Sequence, residues 1–133
     1  MPTGKEWERA ARGGLENKEY PWGDNKSLAR DYANYSETGG KDKWDKQTVL
    51  VGSLKPNGYG LFDMSGNVWE WCDDWYDSDQ AGRIRKIRKV LRGGSWLSKT
   101  LLYADSLRVA SRKEDNSFNR YDNLGFRCVA DLP

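Results

Sequence analysis

A chain of 133 residues with 22 Lys and Arg, 20 Asp and Glu and no histidine is long enough for one domain. It has no imidazole for Ser-His-Asp or Cys-His catalysis, for His-ligated zinc or for facial-triad iron. Only 37% of it is hydrophobic, which is lean, but the 7 Trp, 7 Tyr and 3 Phe can each bury about 150–250 Å² and so build a core. No run of about 20 apolar residues is present to cross a membrane.

The first element in chain order is a helix. Thr3 and Glu6 have the spacing of a capping box; Trp7, Ala10 and Ala11 then share a face, and Gly13-Gly14 ends the helix. Residues 15–59 follow as a long stretch dense in Gly, Asn, Asp, Ser and Lys. A loop of that length needs pinning by something beyond regular hydrogen bonding, such as a metal. Gly60–Met64 and Val68–Trp71 read as short strand or turn pieces around Ser65-Gly66-Asn67. From Asp63 to Asp79 the charges are all acidic, and from Arg83 to Arg92 (RIRKIRKVLR) they are all basic. The basic run is read as a solvated strand edge, whose Lys and Arg discourage edge-to-edge pairing. It is not read as a nucleic-acid patch, because no recognition helix or RNA-binding motif accompanies it. Val90–Trp96 and Leu124–Val129 read as two further strands, and Ser106–Arg112 as another with Leu107, Val109 and Ser111 on one face. The two cysteines, Cys72 and Cys128, are too few for a Cys₄ zinc site and are read as buried free thiols.

The segments PTGKEWERAARGG, PWGD, ANYS, PNGYGLFDMSGNVWEWCDDWYD, VLRGGSW, LRVASR and NRYDNLGFRCVADLP occur in an order and spacing that resemble the formylglycine-generating-enzyme, or sulfatase-modifying factor, family. The most specific elements are GNVWEW, RGGSW and NLGFRC. The resemblance implies an α+β fold of the C-type-lectin-like class, loop-rich, with short antiparallel strands and one or two helices. It makes residues 1–133 one domain that lacks the family's usual N-terminal half. A partner, a second copy or a complementing N-terminal half would then cover the surface left open.

The same resemblance governs the chemistry expected. The family's two copper-binding catalytic cysteines follow the RGGS-aromatic motif, and their positions fall here at Ser98 and Tyr103. Hydroxyls do not replace the soft sulfur that copper(I) needs, so copper, zinc and iron are not expected. The family's structural disulfide would join Cys128 to the helix position that is Ala11 here, so that pairing is lost. Calcium is expected. The resemblance assigns a first site to the side chains of Asp63, Asn67 and Glu70 with backbone carbonyls near Ser65, Gly66 and Val68, all hard oxygens. It assigns a second to Asn34, the Tyr35 carbonyl, Asp42 and the Trp44 carbonyl. The alternative is that Asp63 and Glu70 cap turns and pair with Arg92 or Arg127.

The leading expectation for function is a noncatalytic module that binds a protein or small molecule on the surface spanned by residues 97–119. Ser98, Lys99, Tyr103, Asp105, Lys113, Asn116, Phe118 and Tyr121 are its candidate contacts, a mixture suited to adaptable recognition. Arg108 and Arg112 either brace strands or flank a ligand cleft. Two alternatives stay open. Variable proteins of diversity-generating retroelements share this fold and diversify the segment between RGGSW and GFR; an enzyme with altered chemistry is the other.

Overall fold

The computed structural model describes residues 1–36, 44, 47–78, 84–98 and 106–131. The first helix, α1 (Gly4–Arg12), forms as its capping signal dictates: Thr3 Oγ1 accepts from the Glu6 N–H and Glu6 Oε2 accepts from the Thr3 N–H. Such a cap is worth about 1 kcal/mol. Gly13 closes the helix at φ 57°, a left-handed conformation that costs glycine little. Trp7 and Ala11 face inward and are buried.

Between α1 and the sheet, the described residues hold a 3₁₀ turn (Lys26–Leu28) leading into α2 (Ala29–Tyr32). Much of its pinning is aromatic. Tyr20 stacks on Trp22 at 4.8 Å between ring centroids, and Trp22 on Tyr32 at 5.6 Å. Tyr20, Ala29, Ala33, Tyr35 and Leu107 close into one buried cluster. None of the described helices is long and apolar enough to cross a membrane.

Among the described residues four strands make the sheet: β1 (Trp69–Ser78), β2 (Ile84–Arg92), β3 (Lys113–Asn116) and β4 (Leu124–Gly125), in the order β3-β2-β1-β4. β2 runs antiparallel to both β1 and β3, while β4 is parallel to β1. The α1 face packs on this sheet through a second cluster of Trp7, Ala11, Met64, Cys72, Val90 and Val109. The fold is the expected α+β class.

Several local expectations need correction. The basic run is a strand but not an edge, because β2 lies between β1 and β3; its solvation holds, with Lys86, Ile87 and Arg88 exposed. The strand stops at Arg92 rather than Trp96, since Gly93 and Gly94 both turn to positive φ. At the C-terminal side only Leu124–Gly125 pairs as strand. Residues 106–110 form turns and 111–112 no regular element, so no strand forms there. Their alternating pattern arises because Leu107 enters one buried cluster and Val109 the other, with the Val109 N–H bonded to the Glu19 carbonyl. Cys72 and Cys128 are both free, as expected, but Cys128 is exposed.

One carboxylate joins the ends of the chain. Glu70, 5% exposed, accepts at Oε2 from Trp7 Nε1 and Arg127 Nε, each at 2.6 Å, and at Oε1 from Arg127 Nη2 at 2.6 Å. Arg127 Nη2 also donates to the Phe62 carbonyl at 3.1 Å. Replacing Arg127 by Met would leave a buried carboxylate without its cation, a loss of about 3–5 kcal/mol for a buried pair. Urea denaturation of Arg127→Met should show a drop of that order, partly recovered when Glu70→Gln is added. A drop below about 1 kcal/mol, the range of an exposed pair, would contradict it.

Candidate functional site

The expected calcium turn is built on unusual backbone. Asp63, Gly66 and Asn67 have φ of 56°, 76° and 66°, and positive φ is uncommon outside glycine. At Gly66 no side chain fits, because an added Cβ would stand 2.2 Å from the Asn34 carbonyl oxygen. That approach joins the two expected calcium segments: the Asn67 N–H donates to the Asn34 carbonyl at 2.8 Å. Asn67 also clamps Val49, accepting from its N–H at 2.9 Å and donating to its carbonyl at 3.3 Å. Asp63 Oδ2 accepts from the Gly52 N–H at 2.8 Å.

Asp63, Gly66, Asn67, Val68 and Glu70 line one cavity of about 460 Å³. Ser65 does not join that lining; its hydroxyl donates to the Leu107 carbonyl at 2.7 Å. Glu70 is committed to Arg127 and Trp7, so the arginine pairing anticipated for it is realised. Burial alone would lower the Arg127 pKa, but the hydrogen bond and charge of Glu70 raise it above the ordinary value. Of the second set, Asn34 and Tyr35 are buried, the Tyr35 carbonyl accepts from Arg30, and Asp42 lies outside the described residues. Trp44 is half-buried in a turn. Among the described residues, the buried side-chain oxygens Asp63 Oδ1 and Asn34 Oδ1 have no hydrogen-bond partner, one in each expected set. Among the described residues no three His, Cys, Asp or Glu side chains gather as a metal cluster. Calcium would therefore depend on these oxygens together with backbone carbonyls.

A separate groove of about 640 Å³ opens beside the sheet, lined by Trp69, Ser95, Leu97, Ser98, Ser106, Ser111, Arg112, Lys113 and Asn123. The RGGSW motif builds one wall. Gly94 turns at φ 73°, where a Cβ would press on Leu107 and Ser98 at 3.0 Å. The Ser95 N–H then donates to Ser98 Oγ at 2.9 Å. Ser95 Oγ accepts from the Leu97 N–H at 3.2 Å and from Asn123 Nδ2 at 3.4 Å. On the other side Arg112 lies 5.2 Å from the Tyr76 ring centroid, and Lys113 Nζ lies 5.5 Å from that of Trp69.

The expected binding surface is thus divided. Ser98, Arg112 and Lys113 meet in the groove, although Ser98 is only 8% exposed and offers its hydroxyl from the floor rather than from an open surface. Arg108 pairs with Glu19 and braces α1's following loop. Asn116 caps its own turn by accepting from the Phe118 N–H. Phe118 stands 80% exposed, and Tyr121 lines a different cavity with Trp71 and Phe126. Lys99, Tyr103 and Asp105 lie outside the described residues. Sequence reasoning missed Trp69, Ser95 and Asn123 as groove residues. Ser95 was within reach, since it belongs to RGGSW itself. Burial pushes the Cys72 thiol up to about 12, so it is held neutral and unreactive.

Compared with known proteins, residues 1–132 match the family model described as the sulfatase-modifying factor enzyme 1-like domain. The formylglycine-generating enzyme of Streptomyces coelicolor is 36% identical over 98% of this chain and 46% of its own length. The inactive C-alpha-formylglycine-generating enzyme 2 of Mus musculus is 39% identical over 98% of this chain and 42% of its own. Among solved structures, Treponema denticola variable protein 1 superposes with a TM-score of 0.76 at 34% identity, covering 95% of this chain and 45% of that one. The chain therefore spans somewhat less than half the length of each of these three.

Proposed function

The chain belongs to the sulfatase-modifying factor enzyme 1-like family, and from that premise we propose that it is a noncatalytic binding module whose ligand occupies the groove floored by Ser98. The observation that carries this reading is Ser98 itself. The position where the family resemblance puts a copper-binding cysteine holds a hydroxyl, accepting from the Ser95 N–H, in a groove with no thiol in its described lining. Without soft sulfur there is no seat for copper(I), yet the groove keeps a volume suited to a ligand. The likeness to a relative named an inactive enzyme agrees with this.

A second reading has its own support in the structural likeness to a variable protein. On that reading the groove wall after RGGSW is a diversified receptor surface. Substitutions among natural copies would then concentrate between residues 97 and 123 and spare the flanking motifs. An enzyme with altered chemistry is the third reading.

The binding reading is tested by filling the groove. Peptides selected from a random library on the wild-type chain should lose at least tenfold in affinity for a folded Ser98→Trp variant. Copper(I)-loaded chain should leave a cysteine peptide unoxidised. Selected peptides indifferent to Ser98→Trp, or turnover of the cysteine peptide, would remove the reading.

Calcium is the cofactor we propose alongside. Asp63 Oδ1 and Asn34 Oδ1 are buried acceptors without donors, a condition that costs about 1–3 kcal/mol unless something binds them. A carboxylate offers about four lone-pair positions, so Glu70 keeps one beyond its three hydrogen bonds. Bound calcium would supply charge to hold residues 47–70 in place and would take no chemical part. At a hundredfold excess over its Kd it should stabilise the fold by about 2.7 kcal/mol. Thermal melts in calcium and in chelator measure this, and Asp63→Asn should shrink the difference; superimposable melts of the wild type would refute the proposal.

A further inference from the structure

The groove's donors and acceptors specify more than its existence. Ser95 Oγ already accepts two hydrogen bonds and Ser98 Oγ one. A hydroxyl has one hydrogen to give, and this hydrogen is what each serine has left for a ligand. Beside them stand the Arg112 guanidinium and the Lys113 ammonium, whose contacts are with the rings of Tyr76 and Trp69 rather than with carboxylates. Several other cations of the fold are paired with carboxylates, among them Arg88 with Glu114, Lys89 with Asp73, Arg92 with Glu8, Arg108 with Glu19 and Arg127 with Glu70. The acids nearest in sequence are also engaged, Glu114 with Arg88 and Asp115 with the Asn116 N–H and Asn119 Nδ2. The described lining of the groove contains no carboxylate.

A concave site offering two hydroxyl hydrogens, a planar guanidinium and an ammonium is matched by a ligand rich in anionic oxygen. Charge-assisted bonds from arginine to carboxylate are roughly twice as strong as neutral ones and often bidentate. Resting on the binding reading above, we infer that the groove takes a carboxylate-bearing ligand, anchored by Arg112 and Lys113 at its rim and by the Ser95 and Ser98 hydroxyls at its floor. The source is either the side chains of an acidic peptide or a free polycarboxylate, which present the same group.

The inference is tested by titrating the ¹⁵N-labelled chain with hexaglutamate, hexaglutamine and citrate while following its amide and arginine Nε–H resonances. Hexaglutamate should move the signals of Ser95, Ser98, Lys113 and the Arg112 side chain. Its affinity should fall at least tenfold in the Arg112→Gln, Lys113→Gln double variant, both sites being exposed and outside the core. Hexaglutamine should move none of these. Citrate shifting the same signals assigns the site to small carboxylates, and citrate without effect beside a binding hexaglutamate assigns it to a peptide. Equal response to hexaglutamine would overturn the anion preference while leaving the binding groove in place. Shifts confined to α1 or β2, or no shift with any probe, would overturn the inference as well. Loss of the groove itself would show separately, as indifference of selected peptides to Ser98→Trp.

Discussion

The Glu70 carboxylate is where this fold is tied. A domain with so little regular structure cannot rely on ladders to set the relation of its ends, and here one buried anion does so. Through Trp7 it fixes α1 against β1, and through Arg127 it draws the C-terminal segment onto the same strand. Arg127 reaches on to the Phe62 and Asp63 carbonyls, so the turn of positive-φ residues is held by the same group. Arg92, the register partner of Glu70 on β2, makes the complementary tie to α1. It is 4% exposed and bonds Gly4, Glu8, Val109 and Ser111. Burial lowers its pKa while Glu8 opposes that, and a guanidinium remains charged regardless. The buried Arg92 and the half-buried Arg127 thus do for this chain what longer strands do elsewhere.

On the proposed reading, that framework would let a binding surface persist without a reactive group. The groove is bounded by the ends of β1 and β3 and by the glycine turn after β2, and none of these depends on a thiol. The Ser98 hydroxyl takes part in the local turn by accepting from the Ser95 N–H.

The helix was legible because its signals are local. Thr3, Glu6 and Gly13 each act within one turn, and Trp7 and Ala11 follow helical spacing. The pairing of Glu70 with an arginine was also open to sequence reasoning as an alternative, since a buried acid requires a cation. Other features were not legible. Leu107 and Val109 alternate like a strand but serve two different clusters, and periodicity alone does not separate those cases. The basic run resembled an edge because its solvated face is charged, while its neighbour β3 contributes only Lys113–Asn116, too short and polar to announce itself. The groove was half legible. Ser98, Arg112 and Lys113 came from position in the chain, whereas Trp69 and Asn123 reach the same space from remote segments, and only the fold brings them there.

The central claim is that α1, β1 and the C-terminal segment are held as one unit through Glu70. Native-state hydrogen exchange of the Trp7 indole N–H tests it most directly, because that proton is itself the link. If the claim holds, the indole N–H opens with the same free energy as the most protected amides of β1 and with the Arg127 side chain, as one cooperative unit. Exchange of the indole by local fluctuation, far faster than the β1 amides, would show that Trp7 is merely packed beside Glu70 and would contradict the account.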